Sequence, residues 1–273
     1  MFDHYISSAK PVFVIIILDQ SSRMAEPYND GLSKSMYQCR LANKFLNELI
    51  FMNASGDKIK DRFYISIIGH SNDNANEIRS GYLSSFADNP LRIEKVKKKV
   101  SDGIGGLVEI EIEDAIYVDG IFNGVENQLG AFILTQNKTK DWIEQKGYCS
   151  TLIVNISGGF TSDWKEVTIR INEMKAMVNN SDRLLFFNLL LDSNNKNLLF
   201  PTLEDVAQVS FTNLLYYEWS SYFNFPIEPK TRFHNKLVDN LSDLDIYVND
   251  LNAKKMFSNY HLLEILNFIY IGS

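Results

Sequence analysis

The stretch PVFVIIILDQSSRM, residues 11–24, decides the fold of this chain. Its apolar part, residues 12–18, has no polar interruption, as is typical of a strand that helices cover on both faces of a parallel sheet. A polar turn, DQSSR at residues 19–23, follows at once. In such sheets the functional groups lie at the carboxyl ends of the strands, where the sheet opens into a crevice. We therefore place Asp19 and Ser21 at the mouth of a candidate site.

The composition is that of an ordinary globular protein. The 273 residues are 45% hydrophobic and 22% charged, and the formal net charge is -7 at pH 7. This acidic balance argues against nucleic-acid binding by phosphate neutralisation. The two cysteines, Cys39 and Cys149, fall on apolar patterns and are expected to be buried thiols rather than a bridge. Because no stretch reaches the roughly 18 apolar residues of a membrane span and no secretory signal is present, we expect a cytoplasmic protein.

Apolar periodicity beyond the first strand predicts further strands and helices in alternation. The predicted strands cover residues 63–69, 78–83, 108–112, 151–156, 184–191 and 209–216. The predicted helices cover residues 32–50, 90–100, 124–146, 163–178 and 203–208. This alternation is typical of a mostly parallel sheet with right-handed crossovers. In the strand at 108–112, Val and Ile alternate with Glu, so we expect it at the edge of the sheet with one face in water.

The pattern changes after Pro226 and Pro229. Two helices are predicted there, at about residues 235–250 and 254–270. The second contains HLLEILNFIYI, residues 261–271, which is apolar nearly all round but too short to span a bilayer. Such a segment has to be buried, either on its own domain or on a partner. The predicted organisation is a domain of residues 1–226 with a C-terminal helical extension of residues 227–273.

Three turns resemble, in order, those of the von Willebrand factor A (vWA) family. The first strand ends in DQSSRM, residues 19–24, which resembles the DxSxS turn of that family. DGIFNG at 119–124 looks like its GGTxxG turn, and ISGGFTSD at 156–163 looks like its TDGxPTD turn. Order and spacing agree with that fold from about residue 10 to 225, and the chain is most similar to bacterial TerY-like, tellurium-resistance-associated members. The resemblance implies a Rossmann-like α/β fold with a central, mostly parallel sheet of six strands flanked by helices.

The resemblance also implies a metal-ion-dependent adhesion site, which this sequence matches only in part. Intact members hold a divalent ion on oxygens of an aspartate, two serines, a threonine and a second aspartate. A hard cation such as Mg²⁺ needs about six oxygen ligands, so the loss of each donor matters. Asp19 and Ser21 match, but the other three positions are Arg23, Ile121 and Ser157. Because an apolar side chain cannot ligate and a guanidinium repels a cation, we predict a degenerate site with no metal and no cofactor.

Arg23 stands where the family has its second serine. Its planar cation could take the position of the ion and pair with Asp19, which would otherwise be an uncompensated carboxylate in the crevice. Alternatively, Arg23 points into solvent and the site is vestigial. A long side chain allows either arrangement.

Three functions are compatible with this sequence. The first, which we favour, is a non-enzymatic protein-interaction or scaffold module of a bacterial signalling, stress or defence system. Resemblance to TerY-like members implies a protein kinase or phosphatase, encoded nearby, as the partner. The second is a metal-dependent binder that uses Asp19, Ser21 and replacements such as Asp119 or Asp163. The third is a nucleotide-binding or hydrolytic enzyme. Two observations argue against it: the first turn lacks phosphate-binding glycines, and the chain lacks a GxSxG elbow.

The candidate partner-binding face is the carboxyl edge of the sheet, where Asp19, Ile121 and Ser157 are expected to converge. Its predicted residues are Asp19, Ser21, Ser22, Arg23, His70, Asn72, Asn123, Ser157 and Asp163. His70 belongs to the polar stretch HSNDN, residues 70–74, and is expected to be solvated rather than catalytic. Without a metal, binding would depend on Arg23, on the loop of residues 71–76 and on exposed apolar surface.

Overall fold

The computed structural model describes residues 6–28, 31–72, 74–101, 106–178, 184–191, 198–199, 203–207, 210–221 and 256–258. The strands are β1 Val12–Asp19, β2 Ala54–Ser55, β3 Lys58–Ile59, β4 Phe63–Ser71, β5 Asn74–Tyr82, β6 Arg92–Ser101, β7 Leu107–Ile116, β8 Thr151–Ser157, β9 Leu184–Leu190, β10 Leu198–Leu199 and β11 Met256–Ser258. The helices are α1 Lys34–Asn53, α2 Leu83–Asp88, α3 Gln128–Lys146, α4 Trp164–Ala176, α5 Leu203–Ala207 and α6 Phe211–Trp219. A short 3-10 turn, Ser22–Ala25, follows β1.

The central strand of the main sheet is β1. The strand order is β10-β11-β9-β8-β1-β4-β5. β1 runs parallel to β4 and β8, and β9 runs parallel to β8 and β11, whereas β5 and β10 are antiparallel to their neighbours. The predicted mostly parallel sheet with the first strand near its middle is therefore confirmed. In the described residues this sheet has seven strands, two of them very short, where six were predicted.

Helices cover both faces of this sheet. One face of β1 packs with Phe45 of α1, and the other packs with Phe132 of α3 and with residues of α4 and α6. Every residue of β1 is buried, which explains why its sequence shows no alternation. Cys39 and Cys149 are buried and unbridged, as predicted. The two apolar layers fix the carboxyl end of β1 at the middle of the sheet edge.

Residues 90–100, predicted as a helix, form strand β6 instead. It pairs with β7 along its whole length, from Arg92 opposite Ile116 to Ser101 opposite Leu107. Cross-strand ion pairs support this pairing, Lys95–Glu111 at 3.0 Å and Lys97–Glu109 at 2.9 Å. Pairing with a partner strand here overrides the helix propensity of a Lys-rich segment. β7 is therefore a strand as predicted, but it lies in a separate two-stranded sheet, the β6–β7 ribbon, and not at the edge of the main sheet.

Residues 209–216, predicted as the last strand of the sheet, mostly belong to helix α6. Ser210 caps this helix, because its side-chain oxygen accepts a hydrogen bond from the backbone N–H of Asn213 at 3.2 Å. A short apolar run does not distinguish a buried strand from a buried helix. The serine immediately before the run was the signal for a helix start.

The C-terminal region is described only at Met256–Ser258. These residues form β11 inside the main sheet, so the predicted helix at 254–270 is wrong at this point. The rest of that helix, the predicted helix at 235–250 and the domain boundary at 226 lie outside the described residues. Of the helices in the described ranges, none is both long and apolar enough to cross a membrane.

Candidate functional site

The carboxylate of Asp19, the last residue of β1, lies at the centre of the candidate site. Asp19 is 1% exposed. Its Oδ1 accepts hydrogen bonds from the backbone N–H of Ser21 at 2.9 Å and from Ser21 Oγ at 2.6 Å. Its Oδ2 accepts from the backbone N–H of Gly158 at 3.2 Å and from Ser157 Oγ at 3.4 Å. Both oxygens are thus satisfied by the turns that follow β1 and β8.

Arg23 lies beside this carboxylate rather than free in solvent. Its Nε is 3.8 Å from Asp19 Oδ2, within the limit of about 4 Å for an ion pair, and its side chain is 24% exposed. Its Nη1 donates to the carbonyl oxygen of Phe160 at 2.5 Å, and its Nη2 is 3.9 Å from Glu126 Oε1. The guanidinium therefore connects the turns after β1 and β8 with the segment that precedes α3.

The charges in this crevice are set by burial and by these contacts. Burial alone would raise the pKa of Asp19, but His70, the hydrogen bonds from Ser21 and the Arg23 guanidinium together hold this pKa below its usual value. Burial lowers the pKa of His70, although Asp19 and Glu126 act in the opposite direction. The imidazole is therefore neutral at pH 7. The positive charge that faces the Asp19 carboxylate at this pH belongs to Arg23.

His70 is buried, which corrects the prediction that it is solvated. It lies inside β4, opposite Asp19 in the β1–β4 register, and is 1% exposed. Its Nδ1 accepts from the backbone N–H of Asn127 at 3.3 Å, so the proton of the neutral ring is assigned to Nε2. In the described part of the chain, Nε2 has no hydrogen-bond partner. At this depth His70 is not available for direct contact with a partner.

The backbone of the segment after β7, residues 119–125, is hydrogen-bonded to the turn after β1. The N–H of Asn123 donates to the carbonyl oxygen of Gln20 at 2.8 Å. The N–H and the Oγ of Ser22 both donate to the carbonyl oxygen of Gly124, at 2.8 and 2.7 Å. The structure thus brings the second motif turn, residues 119–124, to the same sheet edge as Asp19 and Ser157.

Asn72 connects the end of β4 to this segment. Its N–H donates to the carbonyl oxygen of Val125 at 2.5 Å, and its Oδ1 accepts from the N–H of Val125 at 3.1 Å. Gly124 has a φ of 67°, and a Cβ at this position would overlap the Asn72 side chain. Residue 124 therefore has to be glycine both for its left-handed backbone and for this close approach.

The remaining predicted positions lie at the surface around the crevice. Ile121 is 46% exposed, and its carbonyl oxygen accepts from Ser35 Oγ at 2.8 Å. Asp163 is exposed at the start of α4, where its side chain makes no capping hydrogen bond. Asp119 is exposed and forms an ion pair with Arg92 at the base of the β6–β7 ribbon, at 2.7 Å.

These contacts do not fit a divalent cation. Both oxygens of Asp19 already accept two hydrogen bonds from the chain itself, and the guanidinium of Arg23 lies where a cation would be repelled. The proposed replacement ligand Asp119 is engaged by Arg92. Across the described ranges, no group of three or more His, Cys, Asp and Glu side chains could hold a metal ion.

Several residues that build the crevice were not predicted from the sequence. They are Lys34, Glu126, Gln128 and Tyr216. The hydroxyl of Tyr216 donates to the carbonyl oxygen of Gly159 at 2.9 Å, and Lys34 Nζ donates to that of Gly158 at 3.3 Å. Burial raises the pKa of Tyr216, so the hydroxyl remains a donor. Since α6 and α1 cover opposite faces of the sheet, the turn after β8 is held from both sides.

One side of α1 also supports the segment between β7 and the crevice. The side chains of Ser35, Gln38, Asn43 and Asn47 donate to the carbonyl oxygens of Ile121, Asp19, Val118 and Ala115, at 2.8, 2.5, 2.9 and 2.9 Å. Asn43 Oδ1 in turn accepts from the N–H of Tyr117 at 2.8 Å. Buried backbone groups outside a sheet need such partners. Their sequence signal is a row of amides on an otherwise apolar helix.

Exposed apolar side chains surround the crevice, and we name this set the apolar rim. Its members are Ile121, Phe122, Val125, Phe160 and Phe211, which are 46, 48, 72, 41 and 52% exposed. The rings of Phe160 and Phe211 are in contact, with centroids 6.0 Å apart. Arg23 bonds to the backbone of Phe160. Exposed apolar side chains that cluster on a surface mark a candidate site for binding another protein.

No family model matches the chain, and no curated protein is similar to it in sequence. Among solved structures, the chain is similar to the crystal structure of the manganese-loaded TRAP protein of Plasmodium vivax, with a TM-score of 0.38 and 12% sequence identity. The similarity covers 67% of this chain and 57% of that chain, so this chain spans less than two thirds of the length of the TRAP protein. A similarity at this level carries no statement about the activity of the chain.

Proposed function

We propose that the chain is a non-enzymatic, vWA-like interaction module that binds a protein partner at the carboxyl edge of its sheet without a metal ion. One observation carries this proposal. The Asp19 carboxylate at the end of the central strand is satisfied by hydrogen bonds from the chain itself and lies beside the Arg23 cation. The apolar rim then offers the surface for a partner.

The topology supports the vWA-like part of the proposal. The five long strands of the main sheet have the order β9-β8-β1-β4-β5, in which only β5 is antiparallel. The three motif turns, at residues 19–24, 119–124 and 156–163, meet around Asp19. By resemblance to TerY-like members, we extend the proposal to a partner class, a protein kinase or phosphatase of a bacterial signalling or stress-response system.

The contacts of Ser21 and His70 argue against a hydrolase. Ser21 is 2% exposed, and its hydroxyl donates to Asp19. In the described residues, no hydrogen bond links Ser21 to His70, whose Nδ1 is occupied by the backbone of Asn127. A serine nucleophile needs an adjacent base and an open approach, and neither condition is met here.

Site-specific photocrosslinking tests the proposed function. A photoreactive phenylalanine analogue replaces Phe122 of the apolar rim, and as a control it replaces Ile169, which is 54% exposed on the outer side of α4. In cells that naturally express the chain, we expect a discrete protein adduct at position 122 and none at 169. The adduct should persist in EDTA and should be lost in Val125→Asp. Identical adducts at both positions, or none, would contradict an interaction face here, and loss in EDTA would contradict a metal-free one.

A further inference from the structure

We propose that Asn123 is a site of spontaneous modification, at which the backbone nitrogen of Gly124 attacks the side-chain amide and converts it slowly into a carboxylate. The modification rests on the contacts of these two residues, whereas its regulatory meaning rests on the proposed function. Asn123–Gly124 is the one Asn–Gly pair among the 273 residues. The glycine matters because it puts no side chain in the way of the attacking nitrogen.

In the described part of the chain, the peptide unit that joins Asn123 to Gly124 makes no hydrogen bond, although the chain is bonded on both sides of it. The N–H of Asn123 donates to the carbonyl oxygen of Gln20, and the N–H and Oγ of Ser22 donate to the carbonyl oxygen of Gly124. Between them, the carbonyl oxygen of Asn123 and the N–H of Gly124 have no partner in the described residues. This unit can therefore rotate towards the side chain without first breaking a hydrogen bond of its own.

Ser71 prepares the Asn123 side chain for the attack. The side chain is exposed, and its Oδ1 accepts a hydrogen bond from Ser71 Oγ at 3.0 Å. A donor at this oxygen stabilises the negative charge that develops there when a nucleophile adds to Cγ. Among the described residues, the leaving nitrogen Nδ2 has no hydrogen-bond partner. The contacts therefore activate the carbon and leave the amide nitrogen free to depart.

The reaction consumes one water and releases one ammonia. Hydroxide removes the proton of the Gly124 N–H, and this nitrogen forms a bond to Asn123 Cγ. The Cγ–Nδ2 bond then breaks, and Nδ2 leaves as ammonia with a proton from solvent, so that a five-membered succinimide remains. Water opens the ring at Cγ, which gives aspartate, or at the backbone carbonyl carbon of Asn123, which gives isoaspartate. No group is oxidised or reduced, and the rate rises with pH because hydroxide is the base.

Isoaspartate changes more than the charge of this turn. The main chain then passes through Cβ and Cγ, so it is one atom longer between the N–H of residue 123 and the carbonyl group of residue 124. The hydrogen bonds to Gln20 and from Ser22 are spaced for the normal chain, and both cannot keep their geometry. Because Phe122 and Val125 of the apolar rim flank this pair, the modification alters the proposed partner-binding face.

Peptide mass spectrometry on the full folded chain, incubated at pH 8 in water labelled with ¹⁸O, tests the modification. We expect residue 123 of the parent to become aspartate and isoaspartate, with one oxygen from the solvent. Asn123→Gln should stay unchanged over the same time, because its attack would have to close a six-membered ring. An unmodified folded parent would overturn the proposal. The same chain in urea shows that the assay detects the reaction.

Variants of Ser71 test its positioning role. Loss of a buried oxyanion donor costs about 100-fold or more in rate, and Ser71 is partly exposed, so we expect Ser71→Ala to slow the folded reaction by roughly tenfold. Ser71→Thr keeps a hydroxyl and should react near the parent rate. In urea, where the contact is absent, all three proteins should react equally. An equal rate for Ser71→Ala in the folded state, or a difference that persists in urea, would overturn this role.

Crosslinking at position 122 separates the inference from the proposed function. The purified chain with the photoreactive analogue is incubated and then added to an extract of cells that naturally express it. The yield of the partner adduct should fall about threefold or more, because a charge and a displaced turn disturb the apolar contact surface. In Asn123→Gln, incubation should leave the yield as it was.

Each outcome assigns the failure to one claim. An unchanged yield from the modified chain would overturn the regulatory meaning and leave the modification in place. A partner adduct from a chain that is never modified would overturn the modification and leave the proposed function standing. Modification with no adduct in any protein, incubated or fresh, would overturn the proposed function alone.

Discussion

Arg23 Nε lies 3.8 Å from Asp19 Oδ2, whereas Arg23 Nη1 donates to the carbonyl oxygen of Phe160 at only 2.5 Å. The cation is thus hydrogen-bonded to a neighbouring turn and only electrostatically paired with the carboxylate. Asp19 itself keeps four hydrogen bonds from Ser21, Ser157 and Gly158. Arg23 therefore connects three segments of the crevice, and its loss does not leave Asp19 without partners.

We expect Arg23→Gln to lower the free energy of unfolding by about 1–2 kcal/mol, the cost of one charge-assisted hydrogen bond and a partly screened ion pair. The measurement is urea denaturation at pH 7. Arg170→Gln is the matched control, because Arg170 is 40% exposed in a surface pair with Glu173 and should show no measurable change. A loss of stability as small as that of the control would mean that Arg23 is not held in the crevice.

We expect no heat of binding when Mg²⁺ or Mn²⁺ is titrated into the parent or into Arg23→Ser. The single change removes the repelling guanidinium but restores neither the threonine nor the aspartate of the family site. The triple change Arg23→Ser, Ile121→Thr and Ser157→Asp restores an oxygen donor at all three positions and should gain affinity for the ion. Calorimetry on the three proteins measures this. No gain in the triple variant would mean that the turns do not have the geometry that a vWA metal site requires.

Stability should fall as the solution is made mildly acidic, because the pKa of His70 is lowered by burial in the folded state. Below its unfolded pKa of about 6.5, the unfolded chain takes up the proton first, and stability falls by up to about 1.4 kcal/mol per pH unit until the folded pKa is passed. The lowered pKa of Asp19 adds a further loss only below about pH 4. Denaturation curves at pH 7.5 and 5.5 should therefore differ less for His70→Gln than for the parent. Equal differences would mean that another group titrates.

The pair Asn72 and Gly124 should behave as a coupled unit. Gly124→Ala should cost about 2–3 kcal/mol, because a Cβ strains the left-handed backbone and displaces the Asn72 side chain from the N–H of Val125. In an Asn72→Ala background only the backbone term remains, about 1 kcal/mol. A double-mutant cycle by urea denaturation gives the coupling. Strictly additive losses would contradict the contact.

The main sheet was predictable because its strands carry their own signal. The uninterrupted run in β1 and the polar turns after β1 and β8 locate the sheet, its direction and Asp19. The helix prediction for residues 90–100 failed because Lys95 and Lys97 form ion pairs with glutamates of β7. These glutamates lie more than ten residues away, outside the sequence window from which a helix is predicted. For α6 the apolar run is compatible with a strand or a helix, and only the capping Ser210 before it indicates a helix.

The crevice was predictable only in its motif residues. Asp19, Ser21 and Arg23 lie within one turn, so their proximity follows from the sequence. Lys34 and Tyr216 reach the turn after β8 from helices that are distant in the chain, and nothing local distinguishes them from ordinary residues of their type. His70 was misplaced because its polar neighbours suggested a loop, whereas β4 extends to Ser71.

Hydrogen bonds from α1 connect the β6–β7 ribbon mechanically to the crevice. Asn47 holds the carbonyl oxygen of Ala115 in the second strand of the ribbon, and Gln38 holds that of Asp19. The helix between Ser35 and Asn47 is a rod of about 18 Å. A force on the ribbon is therefore transmitted to α1 for as long as these hydrogen bonds hold. The ribbon and the crevice are therefore coupled mechanically through α1, although they lie in different sheets.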